Sequence, residues 1–562
     1  MQTRHLVIFW FVVAVGVLLR LILLGSVPVS LYMDEAAIGV DAYTISQTGK
    51  DMHGASAFQA IIPSYGDFKM PVYIWFSTMA TMLFGANPVA VRIPSALAGI
   101  ASIFLAYAFM RELFSFRSAW LNRWAPVVAS ALVAILPWSL LFSRTGFEGH
   151  LGQAILGLSI LLWLKAQKDT SLRGWVLSIF SAVIAALAVY TYYSIRFVVP
   201  AVILTSFFLH AKPIHLQLGR IVGWLFIWII LFIPMYQSPY YEPSQRFRLS
   251  AQSILQDMPE YVAQQNLLRE QAGNTLLSHL IYHRYWFLIQ ALANNYTEQF
   301  SLPFLFLTGD SNLRHSTNRV GLSYVISIPF VLLGLVVAVQ KQWRVSMFLL
   351  VWILFSALPA AVPHEVPHAL RFLNALLPFS LVLSLGVVEF FHHAIKLPFF
   401  QRYCVLSVFA ILVLGSLAWF QYDYWIQYPS RSADAWDDGV AELVTAAAQE
   451  SISSPDQTIV IAGNEKAFLW YILYAKPAVA LIQAEQSMNF RKEKLGSVYF
   501  GADAVQRYLN TPGSTVFGTT EELNYEGEII PMRYQTHYAK VFIPPKESES
   551  TASQTKHLNE VR

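Results

Sequence analysis

Eleven mostly apolar stretches, at 6–25, 93–111, 124–142, 150–166, 173–190, 197–210, 221–236, 321–339, 345–362, 372–391 and 403–420, mark out the first three quarters of this chain. Most approach the roughly 20 residues a helix needs to cross a bilayer. Within hydrocarbon each backbone N–H and C=O must be satisfied inside its own segment, which an α-helix achieves. The expected fold class is therefore a polytopic α-helical membrane protein with about eleven or more transmembrane helices. Composition agrees, because 56% of residues are hydrophobic and only 13% charged, against about 25% charged in soluble domains. A net charge of +4 leaves no basic footprint for nucleic acid. The single cysteine, Cys404, excludes an internal disulfide framework and a cysteine-rich metal site.

Basic residues orient the bundle. Arg4, then Arg111, Arg117 and Arg123, then Lys165, Lys168 and Arg173, then Lys212 and Arg220, then Lys341 and Arg344, then Lys396 and Arg402 fall in alternate loops. The positive-inside rule puts those loops in the cytoplasm. The expectation is a multi-pass protein of the plasma (inner) membrane, N-terminus cytoplasmic and C-terminus extracytoplasmic. The first apolar stretch exceeds a signal-peptide core and has no clear cleavage site after it, so it reads as retained. The stretch Pro71–Gly85 would invert every later loop if it spanned, and reads as an interfacial or re-entrant helix.

The domain reading follows. Residues 1–428 form the transmembrane domain, with external loops 26–92 and 237–320; residues 429–548 mix short apolar runs with helical stretches and read as a small extracytoplasmic α/β or α+β domain. The tail 549–562 is polar and reads as disordered.

Ionisable residues gather on the predicted external side, where their cost beside lipid makes them functional candidates. Loop 26–92 carries Asp34, Glu35, Asp67 and Lys69; the turn LLFSRTGFEGH carries Arg144 and Glu148, whose spacing also suits a plain helical ion pair. The segment TYYSIRF carries Tyr193 and Arg196, which an aromatic belt and a snorkelling arginine would equally explain. Asp310, Arg314 and His315 lie in TGDSNLRHS, and His368 and Arg371 in PHEVPHALRF. The string His364-Glu365-Val366-Pro367-His368 matches the H-E-x-x-H zinc pattern. Pro363 and Pro367 disfavour the continuous helix that chemistry requires, so the match reads as accidental.

YMDEA after the first span, GDFKMP before the interfacial helix and VRIPSALAGIASIFLAYAFMRELF, followed in order by LPWSLLFSRTGFEG, VYTYYSIRFVVP, FLFLTGDSNLRHS and PHALRFLNALLPF, resemble the C-type superfamily of integral-membrane glycosyltransferases. The likeness is to family 39, the protein mannosyltransferases and the lipid A aminoarabinose transferases, and covers roughly residues 1–430. It implies a polyprenyl-phosphate sugar donor in the bilayer and transfer to an extracytoplasmic protein, lipid or glycan acceptor. It also implies a carboxylate base at Asp34, with Glu35 beside it, and a donor-phosphate lysine at Lys69. The family's KPP-like segment reads Lys69-Met70-Pro71 here, one proline short.

The residues support the same chemistry. Displacing a lipid phosphate from a sugar carbon needs a base for the acceptor proton and cations for the leaving phosphate. Asp34 and Glu35 supply carboxylates; Lys69, Arg144, His368 and Arg371 supply cations or donors. Asp67, Glu148, Tyr193, Arg196, Asp310, Arg314 and His315 remain as substrate-binding candidates. A single displacement with Asp34 as general base is expected. No cofactor is required in this reading, although Asp34 and Glu35 could hold a divalent cation through oxygen. The alternative is a lipid-linked sugar flippase or another polytopic transporter, but transporters place ionisable groups near the bilayer midplane, and here they sit at span ends.

Overall fold

The computed structural model describes residues 4–542, except 117, 210–213, 252, 463–465, 485–491, 509–510, 520–522, 524–527 and 531–537. The expected disordered tail, 549–562, lies outside the described residues. Two compact units are present: Met1–Pro28, Ala57–Ile62 and Asp67–Ser432 form the first, and Val29–Ser56, Pro63–Gly66 and Ala433–Arg562 the second.

The first unit is a helical bundle. Among the described residues eight helices are long and apolar enough to cross a membrane, and a bent pair makes a ninth. Each of the eleven predicted stretches overlaps a helix, but the sixth lies on Ile195–Leu209, which like Pro71–Phe84 is shorter than the eight. The third is the bent pair, Ala119–Ile135 and Pro137–Ser143, which turns by 57°. Pro137 disfavours helical backbone at the residue before it, and Leu136 adopts φ −59°, ψ 134°. The eighth and ninth stretches run together as Ile328–Ala357, broken where Gln342 leaves helical geometry at φ −154°, ψ 72°. The helix Pro71–Phe84 spans 14 residues, about 21 Å at 1.5 Å per residue, which is short for a crossing.

Small residues set the helix spacing. A Cβ on Gly334 would stand 2.0 Å from the Val382 carbonyl oxygen, and one on Gly386 would stand 1.9 Å from that of Phe330. The two helices thus touch backbone to backbone, the packing that membranes favour. Arg20, fully buried in the first helix, donates to the carbonyls of Gly16, Val133 and Ala134 and to Ser139 Oγ. Its charge is absorbed by backbone oxygens, so it is a packing element.

The second unit holds a six-stranded mixed sheet in the order Lys494–Leu495, Val498–Phe500, Thr458–Ile461, Ser514–Thr519, Tyr538–Phe542, Glu528–Ile530. The three central strands are parallel, and Val460 registers with both Tyr499 and Val516. Central parallel strands read as apolar runs because both faces are covered, and Ile459, Val460 and Ile461 are all fully buried. Met33–Thr48 packs on the helix Ala467–Ala475 of this unit, with Trp470 Nε1 donating to the Leu31 carbonyl at 3.0 Å. Residues 29–56 and 63–66 of the first long loop therefore fold with the C-terminal part of the chain.

Candidate active site

In the helical unit a cluster of cations and phenols forms around residues 67–69. Asp67 Oδ1 accepts from the Phe68 amide at 2.7 Å, and its Oδ2 lies 3.2 Å from the Lys69 ammonium. The Lys69 side chain is only 4% exposed, so its charge acts in a setting of reduced dielectric. Arg248 donates from Nη2 to the Phe68 carbonyl at 3.0 Å. Its buried Nε has no hydrogen-bond partner among the described residues.

The Tyr193 ring lies between two guanidinium groups, with Arg196 Cζ 3.5 Å and Arg248 Cζ 4.8 Å from its centroid. Arg371 interacts electrostatically with Tyr192, Arg248, Glu365 and Asp67, and Tyr192 in turn with Arg371, Arg248 and Glu148. Desolvation pushes the Tyr192 and Tyr193 phenols up to about 12. Both stay protonated as hydrogen-bond donors at neutral pH. Three arginines and one lysine thus share a neighbourhood with Asp67 and Glu148, which offset part of the charge. Such a cradle suits a phosphate. Arg248 and Tyr192 are the members that sequence reasoning left out.

Two expected site residues, Arg144 and His368, have other partners. Arg144 is fully buried and donates to the carbonyls of Leu19, Arg20, Ile22, Leu23 and Val27 and to the Tyr424 hydroxyl, with Trp425 4.4 Å from its Cζ. It caps the C-terminal end of the first helix, where orphan carbonyls need donors. Its guanidinium is committed to these acceptors, so a structural role stands beside the expected one at the donor phosphate. His368 is held neutral, well below the usual histidine range, by desolvation and by His315 and Arg371. Its ring stacks on His315 at 4.8 Å and caps the short helix Ala369–Phe372.

Asp310, His315 and His368 bring ligand atoms within 4.8 Å of one another, the one such group among the described residues that could hold a metal. Asp310 Oδ1 accepts from the Asn312 amide at 2.9 Å. Its Oδ2 accepts from the Ala369 amide at 2.8 Å and lies 3.0 Å from His315 Nδ1. That carboxylate already ties two loops together. Arg314 folds back locally, donating to Asn312 Oδ1 from its amide and Nε at 3.0 and 3.2 Å. The H-E-x-x-H string is not helical, and the helix after it starts at Ala369.

In the second unit Asp34 and Glu35 occupy the first turn of Met33–Thr48, where the helix dipole favours carboxylates. Glu35 is fully buried and Asp34 partly exposed. Asp34 accepts hydrogen bonds from both the Tyr65 and the Tyr32 hydroxyls. Tyr32 stands edge-on to buried Trp436, with ring centroids 5.7 Å apart.

Residues 69–237 match the sequence model of the dolichyl-phosphate-mannose-protein mannosyltransferase family. Over 115 residues the chain is 30% identical to the "Putative mannosyltransferase YycA" of Bacillus subtilis (strain 168), a stretch covering 20% of this chain and 16% of that protein. ArnT from Cupriavidus metallidurans, solved bound to undecaprenyl phosphate, matches with a TM-score of 0.53 at 11% identity, over 96% of this chain and 98% of its own. The oligosaccharyltransferase AglB from Archaeoglobus fulgidus, solved with an inhibitory peptide and a dolichol-phosphate, matches with a TM-score of 0.50 at 13% identity, over 92% of this chain and 70% of its own. The fold is that of these two solved proteins. The long apolar helices of the first unit and this fold support an integral membrane protein. The family match starts at Lys69 and takes in Glu148, Tyr192, Tyr193 and Arg196, while Asp34, Arg248 and Arg371 lie outside it.

Proposed function

We propose that this chain is a membrane glycosyltransferase that moves a sugar from a polyprenyl-phosphate donor to an extracytoplasmic acceptor. The observation that carries the reading is the cation cluster around Lys69, Arg248 and Arg371, built on the segment where the family match begins. A leaving phosphate gathers negative charge as its bond to the sugar breaks, and pre-placed cations stabilise it without reorganisation. Lys69, Arg248 and Arg371 take that role.

Asp34 is the base. In a single displacement the acceptor hydroxyl gives its proton to the Asp34 carboxylate as its oxygen bonds to the anomeric carbon. The carbon–oxygen bond to phosphate breaks, and polyprenyl phosphate leaves with the electron pair. Configuration inverts. Glu35 follows Asp34 directly, so the two side chains point differently, and Glu35 steadies the helix start. No metal enters these steps. The N-terminus is cytoplasmic and the C-terminus extracytoplasmic, on the distribution of lysine and arginine.

The test is a set of undecaprenyl-phosphate sugars incubated with the purified protein in detergent, together with extracted envelope acceptors. Release of undecaprenyl phosphate with sugar bonded to an acceptor is expected. A flippase would move the donor across liposomes and leave the sugar–phosphate bond intact. That outcome would replace the transferase reading.

A further inference from the structure

Each phenol that donates to Asp34 is backed by a residue from the C-terminal part of the second unit. Tyr32 rests against Trp436. The Tyr65 ring has the Lys466 ammonium 5.0 Å from its centroid, and the same Nζ lies 3.1 Å from the Met33 thioether. Met33 immediately precedes Asp34 in the first turn of its helix. Four residues after Lys466, Trp470 fixes the chain entering that turn through its bond to the Leu31 carbonyl. Lys466 thus touches the residue before the carboxylate and the ring of one of its two donors.

We infer that Lys466 is a positioning residue for the Asp34 carboxylate, acting through Tyr65 and Met33, and that the C-terminal part of the second unit thereby serves that carboxylate. The inference rests on Asp34 being the base. An ammonium over a phenol ring is attracted to its π face, fixes the ring plane and draws electron density from the hydroxyl. The hydroxyl becomes a stronger donor to the carboxylate, and a carboxylate with strong donors keeps its ionised form to lower pH. Lys466 therefore does two things: it holds Tyr65 so that one Asp34 oxygen is always engaged, and it preserves the ionised base on the acid side of the pH range.

The test compares Lys466→Met, which keeps the stem without charge, with Lys466→Arg, which keeps the charge. Transfer from undecaprenyl-phosphate sugar is measured from pH 5 to 8 on detergent-purified, monodisperse full-length protein, with thermal unfolding as a folding control. Lys466→Met is expected to lower transfer at pH 7 about fivefold to tenfold and to move the acid limb of kcat/KM upward by at least half a pH unit. Lys466→Arg should recover most of both. In the Asp34→Asn background Lys466→Met should add little, since coupled residues are not additive. A folded Lys466→Met protein with an unmoved acid limb and transfer within twofold of the parent overturns the inference. So does loss of rate that Lys466→Arg does not recover, which would mark a packing role. If Asp34→Asn itself keeps full activity, the base assignment fails first and takes this inference with it.

Discussion

Arg248 donates to the carbonyl of Phe68 at 3.0 Å, the residue that separates the Asp67 and Lys69 side chains. A residue from the long loop after the seventh span is thus hydrogen-bonded to the backbone that presents Lys69. Lys69→Ala should weaken donor use more than Lys69→Arg, because the proposed role is charge, although the two cations differ in geometry. Arg248→Ala should cost kcat/KM for the donor by roughly tenfold to a hundredfold, the range of a lost charge-assisted hydrogen bond. Steady-state kinetics with varied donor decides. Equal activity of Lys69→Ala and Lys69→Arg would remove Lys69 from the site.

Arg144→Ala should behave in the opposite manner, as a folding defect. Six acceptors lose this donor together, five of them carbonyls between Leu19 and Val27, of which Leu23 also accepts from the Ser26 and Val27 amides. Each buried acceptor left bare costs about 1–3 kcal/mol. Size-exclusion profiles and thermal unfolding should show an aggregated or strongly destabilised protein, with Lys69→Ala at parental stability. A monodisperse Arg144→Ala protein of normal melting temperature that has lost only donor use would return Arg144 to the phosphate.

The apolar spans were legible because a bilayer imposes one pattern; the bend at Leu136 was not, since Pro94, Pro126 and Pro200 lie inside helices. Side-chain roles were less legible. Arg246 and Arg248 stand two residues apart in QRFRLS, yet Arg246 is an exposed partner of Glu242 at 2.7 Å and Arg248 lies beside Lys69 and Tyr193. Periodicity on one short helix does not separate them without knowing what covers each face. Arg144 looked like a site cation because residue type does not report burial. The joining of Val29–Ser56 to the C-terminal sheet depends on contacts such as Trp470 to Leu31, some 440 residues apart, which no local pattern encodes.

His53 gives the second unit a pH-dependent stability. Burial first, then the neighbouring Lys492 ammonium, push its imidazole from 6.5 down to about 4. Between those values the unfolded chain binds a proton that the folded one does not, so stability rises with pH there. The contribution is complete above about 6.5 and is lost as pH falls toward 4. Melting temperature should fall over that window, and His53→Gln should flatten the slope. Parallel curves for parent and variant would take His53 out of the acid response.

A reporter active only in the cytoplasm, fused after Ser548, should be silent. The prediction follows from the alternation of lysine and arginine between successive loops, with Pro71–Phe84 too short to count as a crossing. Full reporter activity would mean one more or one fewer span and would move every candidate residue to the other side.

Asp34→Asn is the decisive substitution. The amide keeps the size of the carboxylate and can still accept from Tyr32 and Tyr65, so the start of Met33–Thr48 should be preserved and the donor should still bind. What it cannot do is take a proton as a carboxylate does. General-base assistance is worth about 10² to 10⁴ in rate, so transfer should slow by at least about a hundredfold at saturating donor and acceptor. Glu35→Gln should cost less, because Glu35 is fully buried and its proposed task is to hold the helix start. Tyr65→Phe should fall between the two, since it removes one of the two phenol donors and leaves the base. An Asp34→Asn protein within threefold of the parent would exclude Asp34 as base, and the search would pass to Glu35 and Asp67.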